Sequence, residues 1–327
     1  MYLSILIAAY NVEKYIDQCI TSCLNQQFDQ NKYEIIIVND GSTDNTLNIL
    51  QSHETKHKNI TVLSQPNSGL GKARNRALEI SKGKYIWFID GDDFIEENIL
   101  DKIIEKTGYD NLDILHLSYG IVINNELISV SEPVNKTTKI ISGSEYYFDN
   151  YNSSYIFQYV IKRDILINNN IRFLDRINMQ DSEIMPKILF HVNRFKYSYI
   201  HAYNYAQHEL SFTNTNDTDK RIAYFKSIVT VRDSLQHFYN EIKETNILLS
   251  QGVNKKIKSI QEVVFSHLLY FKYDKRTFDK IISLLKANNL FPVMHCFSKK
   301  NNIIRWFLNL SPYNTYLLFN LIKKTKN

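Results

Sequence analysis

Apolar residues in the first hundred positions fall into runs of strand length separated by stretches of helical period. LSILIAA is the first such run. In the segment Glu13–Gln26, Tyr15, Ile16, Cys19, Ile20, Cys23 and Leu24 mark one helical face. EIIIVN predicts a second strand, and Thr43–His53 a helix capped by Ser42 or Thr43. ITVLSQ predicts a third strand, Gly71–Ser81 a helix, and YIWFID a fourth strand. Continuous apolar strands alternating with helices predict an α/β domain with a parallel sheet covered on both faces. Ligands on such sheets sit beyond the carboxyl ends of the strands, and the polar clusters of this sequence fall there.

From Asp113 to His208 the pattern is mixed. DILHLSYGIVINNELISV predicts strands joined by a turn at Asn124-Asn125. A short helix is expected at Ser144–Asn150, a strand at FQYVIK and a helix over Asp181–Phe190. Beyond the polar stretch SFTNTNDTD the period turns helical, over Asp219–Glu244, Asn254–Tyr273 and Lys275–Ala287. The expected organisation is a domain over 1–215, divided into a ligand-binding part (1–110) and a second part (111–215), followed by a helical region over 216–327.

Composition adds three points. With 44% hydrophobic and 22% charged residues, the chain is an ordinary globular one. Its three cysteines, Cys19, Cys23 and Cys296, do not form a disulfide framework, and the helical face predicts Cys19 and Cys23 as core residues; a reducing, cytoplasmic setting is expected. No signal segment and no run of about 18 apolar residues is expected. The net charge of +5 is uneven: Lys280–Asn327 holds eight basic residues and no acidic one, so the remainder carries 5 − 8 = −3. A basic tail interleaved with Trp306, Phe307, Tyr313 and Tyr316 points to an anionic membrane surface ahead of nucleic acid.

The strand-end residues are ambiguous one by one. The DGDD turn, Asp90–Asp93, taken alone reads first as a solvated turn capping a helix over Glu96–Lys106, and also suits Mg²⁺ or Mn²⁺. Asp40 suits a ribose hydroxyl or a helix cap. Tyr10 suits base stacking or the core, and Arg74 a phosphate or an exposed helix face. The first strand lacks the G-x-G-x-x-G of a dinucleotide site, and no Walker lysine loop is present.

Taken together, SILIAAYN, EIIIVNDGSTDNT, NSGLGKARNRAL and YIWFIDGDD, in this order and spacing, resemble the family 2 glycosyltransferases of bacterial polysaccharide biosynthesis, which have the GT-A fold. The resemblance implies a nucleotide-sugar donor, a UDP-sugar, bound by Ala8, Tyr10, Asp40, Asn67, Gly69, Arg74, Asp90 and Gly91. It implies a divalent metal, Mn²⁺ or Mg²⁺, on Asp92, with His208 as a further ligand. NMQDSEIMPKILF looks like the segment that supplies the base of an inverting transfer, which maps to Asp181; Gln180 stands where the family has glutamate, and Glu183 is the rival carboxylate. The implied acceptor is a glycan or lipid-linked oligosaccharide, and the implied location the inner face of the cell membrane. The sequence departs from the family pattern at Ala8, where proline or threonine is common, and at Ala206, where arginine is common. The rival readings are a sugar nucleotidyltransferase, which would carry a basic glycine-rich loop after the first strand, and a non-catalytic nucleotide-sugar-binding protein, which would have lost one of Asp90, Asp92 or Asp181.

Overall fold

The computed structural model describes residues 1–131, 139–153, 155–207, 217–294 and 299–324, with 299–300 and 322–324 as backbone only. They form two compact units, residues 1–176 with 180–208, and residues 177–179 with 209–327.

The first unit follows the alternation of the sequence. Its elements are β1 (Leu3–Ala9), α1 (Ile16–Leu24), β2 (Tyr33–Asn39), α2 (Thr46–Lys56), β3 (Ile60–Ser64), α3 (Leu70–Ile80), β4 (Tyr85–Asp90), β5 (Phe94–Ile95), α4 (Leu100–Tyr109), β6 (Ile114–Ile123), β7 (Glu126–Val130), α5 (Gly143–Asn150), a 3-10 turn at Ile156–Gln158, β8 (Tyr159–Lys162), α6 (Arg163–Asn168), α7 (Gln180–Phe190) and β9 (Phe195–Gln207). The sheet runs β3-β2-β1-β4-β8-β6-β9-β5, with β7 off this path, paired with Gly120–Ile123 of β6. β3, β2, β1 and β4 are parallel, as their unbroken apolar runs require. β8 is antiparallel to both β4 and β6, and β6 is parallel to β9. The chain leaves β1 toward β2 and β3, then returns to place β4 on the other side of β1. The strand order therefore reverses between β1 and β4, and the carboxyl ends of these two strands open a crevice.

Local chemistry moves several boundaries. α2 starts at Thr46 and is capped by neither Ser42 nor Thr43, because both are used to tie the loops. The Ser42 hydroxyl accepts from Asn11 N–H (3.0 Å), and Thr43 N–H donates to Asn11 Oδ1 (2.8 Å). The helix expected from Glu96 starts at Leu100, since Phe94 and Ile95 pair with Tyr203 and Asn204 of β9. The Asn124-Asn125 turn is present, with φ of 51° and 64°, the two positive values a tight hairpin turn needs. Cys19 and Cys23 are free and fully buried against the sheet.

The second unit is helical: α8 (Thr218–Ile242), α9 (Ile247–Tyr270), α10 (Lys275–Ala287), α11 (Lys299–Leu310) and α12 (Pro312–Lys324). α9 begins earlier than its apolar period suggests because the Asn246 side chain caps it, accepting from Leu249 N–H at 3.1 Å. The last two helices form a hairpin clasped by polar bonds. Arg305 donates to the Val293 carbonyl (2.8 Å), Val293 N–H to Asn309 Oδ1 (2.9 Å), and Tyr273 N–H to the Tyr316 hydroxyl (2.7 Å). Leu308 and Tyr316 are buried, whereas Ile303, Trp306, Phe307, Leu310, Leu318 and Leu321 are each more than half exposed. Among the described residues no helix is long and apolar enough to cross a membrane.

Candidate active site

The loops beyond β1, β2 and β4 meet at the crevice. β1 delivers Tyr10 with its ring half exposed, as a stacking surface must be. β2 delivers Asp40, which is buried. One of its oxygens accepts from Gln65 Nε2 (2.7 Å) and Ser68 N–H (2.8 Å), the other from Gly69 N–H (2.8 Å). Asp40 thus shapes the loop that carries Asn67 and Gly69, with little acceptor capacity left over. Gly41 sits at φ +74°, and a Cβ there would lie 2.6 Å from the Asn67 nitrogen, so the turn after Asp40 admits only glycine. Gly91 is pressed against the Ala8 carbonyl, 3.1 Å from where a Cβ would stand, which brings the acidic turn onto the end of β1.

Arg74, on the first turns of α3, is 4% exposed. Its Nη2 donates to Asp90 Oδ1 (2.7 Å) and its Nη1 to Asp181 Oδ1 (3.0 Å), while the guanidinium lies 5.2 Å from the Phe173 ring centroid. Burial alone would weaken its proton, but the two carboxylates outweigh that and hold it fully cationic. Both terminal nitrogens are therefore engaged by protein carboxylates. Arg74 joins the DGDD turn to the second half of the unit, a link that the sequence positions do not reveal.

Asp181 lies in the first turn of α7, and its second oxygen accepts from Ile156 N–H at 3.1 Å. A helix N-terminus favours the ionised carboxylate; the rest of its surroundings oppose it. Burial, with Asp90 adding to it, pushes the carboxyl above its usual range despite the pull of Arg74. Gln180 is buried, and its amide lies 2.9 Å from where a Gly71 Cβ would stand, so it packs under α3. Glu183 is fully buried and paired with Lys187 one turn on. Proline at 186 is accommodated inside α7.

The acidic turn splits into three roles. Asp90 is held by Arg74; Asp92 is exposed on the turn; Asp93 is buried, accepting from the Tyr203 hydroxyl and from Ala206 N–H (2.8 Å). Burial, then the charges of Asp92 and Asp90, raise the Asp93 carboxyl well above its ordinary value. Asp93 is thus a tie between the turn and β9, and the turn caps no helix. Among the described residues no three His, Cys, Asp or Glu side chains converge as a metal-binding group; His208 lies outside them. Mg²⁺ and Mn²⁺ do not need such a cage, since one or two carboxylates plus substrate phosphates and water complete the shell. The acidic turn fits that donor set.

A stack of rings, unanticipated from sequence, borders Asp181. Phe157 lies face to face with Tyr203 (4.0 Å, 4°) and with Tyr155 (5.3 Å, 17°), and near-parallel to Tyr205 (6.1 Å, 13°). The available signal was the alternation of Tyr203 and Tyr205 in AYNYA.

Residues 4–143 match the family model described as glycosyl transferase family 2. Over 242 residues the chain is 26% identical to the uncharacterized glycosyltransferase YibD of Escherichia coli K12, covering 72% of this chain and 70% of that protein. It is 42% identical over 104 residues to the chondroitin synthase of Escherichia coli, covering 32% of this chain but only 15% of that protein. Among solved structures it is similar to Staphylococcus aureus TarS 1-349 in complex with UDP-GlcNAc, with a TM-score of 0.61 at 19% identity, over 89% of this chain and 88% of that one. That likeness shows a shared fold, the GT-A arrangement with a helical C-terminal region. The β1–β4 motifs lie within residues 4–143, the stretch that matches glycosyl transferase family 2.

Proposed function

We propose that the chain moves a sugar from a UDP-sugar to a hydroxyl of a glycan or lipid-linked acceptor in surface polysaccharide synthesis, by a single inverting displacement. The observation that carries this reading is the buried guanidinium of Arg74 bridging Asp90 and Asp181. It holds a donor-side carboxylate and a base on either side of one crevice. Tyr10 and the loop shaped by Asp40 form the wall for the nucleotide. Asp92, with Asp90 beside it, would hold a divalent cation, which when bound would neutralise the departing diphosphate. The TarS complex with UDP-GlcNAc and the chondroitin synthase match support the donor and product class.

In the reaction the acceptor oxygen bonds to the anomeric carbon as the bond to the UDP oxygen breaks, and Asp181 takes the acceptor proton. A raised pKa makes Asp181 a stronger base once ionised. Replacing Asp181 with Asn keeps the acceptor oxygen for Ile156 but cannot take a proton. The expected result is a loss of kcat of about 10²–10⁴-fold, with UDP affinity by calorimetry unchanged. Glu183→Gln, on the far side of α7, should leave kcat within a few-fold. A full-rate Asp181→Asn enzyme, or one that loses UDP affinity instead, overturns the assignment.

We also place the α11–α12 hairpin on an anionic membrane surface. Its clasped inner face and exposed outer row of Trp306, Phe307 and Leu310, in a stretch with basic and no acidic residues, match the chemistry of an interfacial helix. Paired Trp306→Ser and Phe307→Ser changes should abolish sedimentation with phosphatidylglycerol vesicles at low salt. Equal sedimentation of this variant and the native chain would exclude the hairpin as the contact.

A further inference from the structure

The stack of rings has an open end. Tyr203 is fully buried at its base, where its hydroxyl donates to Asp93 and accepts from Asp90 N–H at 3.3 Å. Phe157 continues the stack, and Tyr155 ends it with half its surface exposed. Tyr119 braces Tyr155 and Phe157 edge-on, at 5.7 and 5.4 Å between centroids. Tyr155 is therefore an exposed ring whose orientation is fixed from below and from the side. Scattered exposed aromatics need no explanation, but this one is placed by the backbone that touches the base: the next residue, Ile156, donates its N–H to Asp181.

Resting on the glycosyltransferase reading above, we infer that Tyr155, on its Phe157–Tyr203 support, is the platform on which a pyranose ring of the acceptor lies while its hydroxyl faces Asp181. The face of an aromatic ring is negative, and the axial C–H bonds on one face of a pyranose are weakly positive. The two surfaces are flat, of similar width, and complementary. An open-chain polyol presents no such face. The platform thus selects a sugar ring, whereas Asp181 only requires a hydroxyl.

Saturation-transfer NMR on the full chain tests this with methyl β-D-glucopyranoside and methyl β-D-galactopyranoside as probes, and ribitol as the open-chain control, each with and without UDP. Saturation should reach the ring C–H protons of at least one pyranoside in the native chain and in Tyr155→Phe, and ribitol should receive far less. Tyr155→Ala should weaken pyranoside binding about ten-fold, the equivalent of one aromatic contact. Its exposed position makes loss of folding the lesser concern, and the thermal midpoint of the variant is read in the same samples. Equal saturation of ribitol and pyranosides, no pyranoside signal, or an unaltered Tyr155→Ala chain overturns the inference. The uracil protons of UDP separate the two readings: a bound uracil with a silent pyranoside sinks the platform alone, and a silent uracil sinks the donor assignment.

Discussion

The loops beyond β1, β2 and β4 and the wall built from β6, β9 and residues 155–158 both border Asp181, but different forces hold them. The strand-end side is fastened by charge. Asp40 gathers Gln65, Ser68 and Gly69, and Arg74 joins Asp90 to Asp181, all through charge-assisted bonds of 2.7–3.0 Å. The other wall is fastened by stacked rings around Phe157 and around Phe195, with His116 buried among Tyr146, Tyr159 and Tyr197. A charged network fixes positions by directed bonds, and loss of the cation at its centre unties both carboxylates. A ring stack tolerates changes of partner and offers a surface. In the function proposed above, the first side holds the donor and the second the acceptor.

Arg74→Met breaks the charged side at its centre. It leaves Asp90 and Asp181 facing each other without a cation, and removing one member of a buried pair costs about 3–5 kcal/mol. Both carboxylates retain some solvent, 30% and 21% of their side chains, so the lower figure, about 3 kcal/mol, is expected from urea unfolding. UDP affinity and turnover should fall together. Arg74→Lys should recover only part, since one ammonium does not span two carboxylates as a guanidinium fork does. If Arg74→Met unfolds within about 1 kcal/mol of the native chain, the bridge is not what holds this side, and the contrast between the two walls is lost.

The two walls also differed in how far their sequence disclosed them. On β1–β4 the apolar runs are unbroken and each ends in polar residues, so strand, direction and crevice follow from pattern alone. β9 gives no such pattern. Tyr199 at φ 57° and a shift of register between His116 and Ser118 interrupt its alternation, and its burial varies irregularly along 13 residues. Asp93 shows the limit most clearly. Its neighbours suggested a ligand or a cap, while its partner Tyr203 lies 110 residues on. The shift of Asp181 is hidden for a related reason. The helix N-terminus is visible in sequence, whereas the burial that raises its carboxyl exists only in the folded chain.

The smaller effect belongs to the aromatic wall and would appear as a loss of stability toward acid, opposite in sign to the contribution of Asp93 and Asp181, whose raised carboxyls favour the folded chain as pH falls. His116 is 5% exposed, its Nδ1 has no hydrogen-bond partner among the described residues, and its Nε2 lies 3.4 Å from Gln158. Burial lowers its pKa from 6.5 to about 3. The folded chain therefore resists a proton that the unfolded chain accepts below pH 6.5. The sign follows: the contribution is fully present above the unfolded pKa and is lost as pH falls toward 3. Between pH 7 and pH 5 this amounts to about 2 kcal/mol of stability. His116→Phe keeps a ring among the four aromatic neighbours and removes the titrating group, so the acid limb of a stability–pH curve should flatten by that amount. UDP affinity at pH 7 should not move, because no contact of His116 reaches Asp40, Arg74 or Asp90. If the native and His116→Phe curves run parallel from pH 7 to pH 5, the histidine is solvated or already protonated, and the wall around it is less dry than its packing implies.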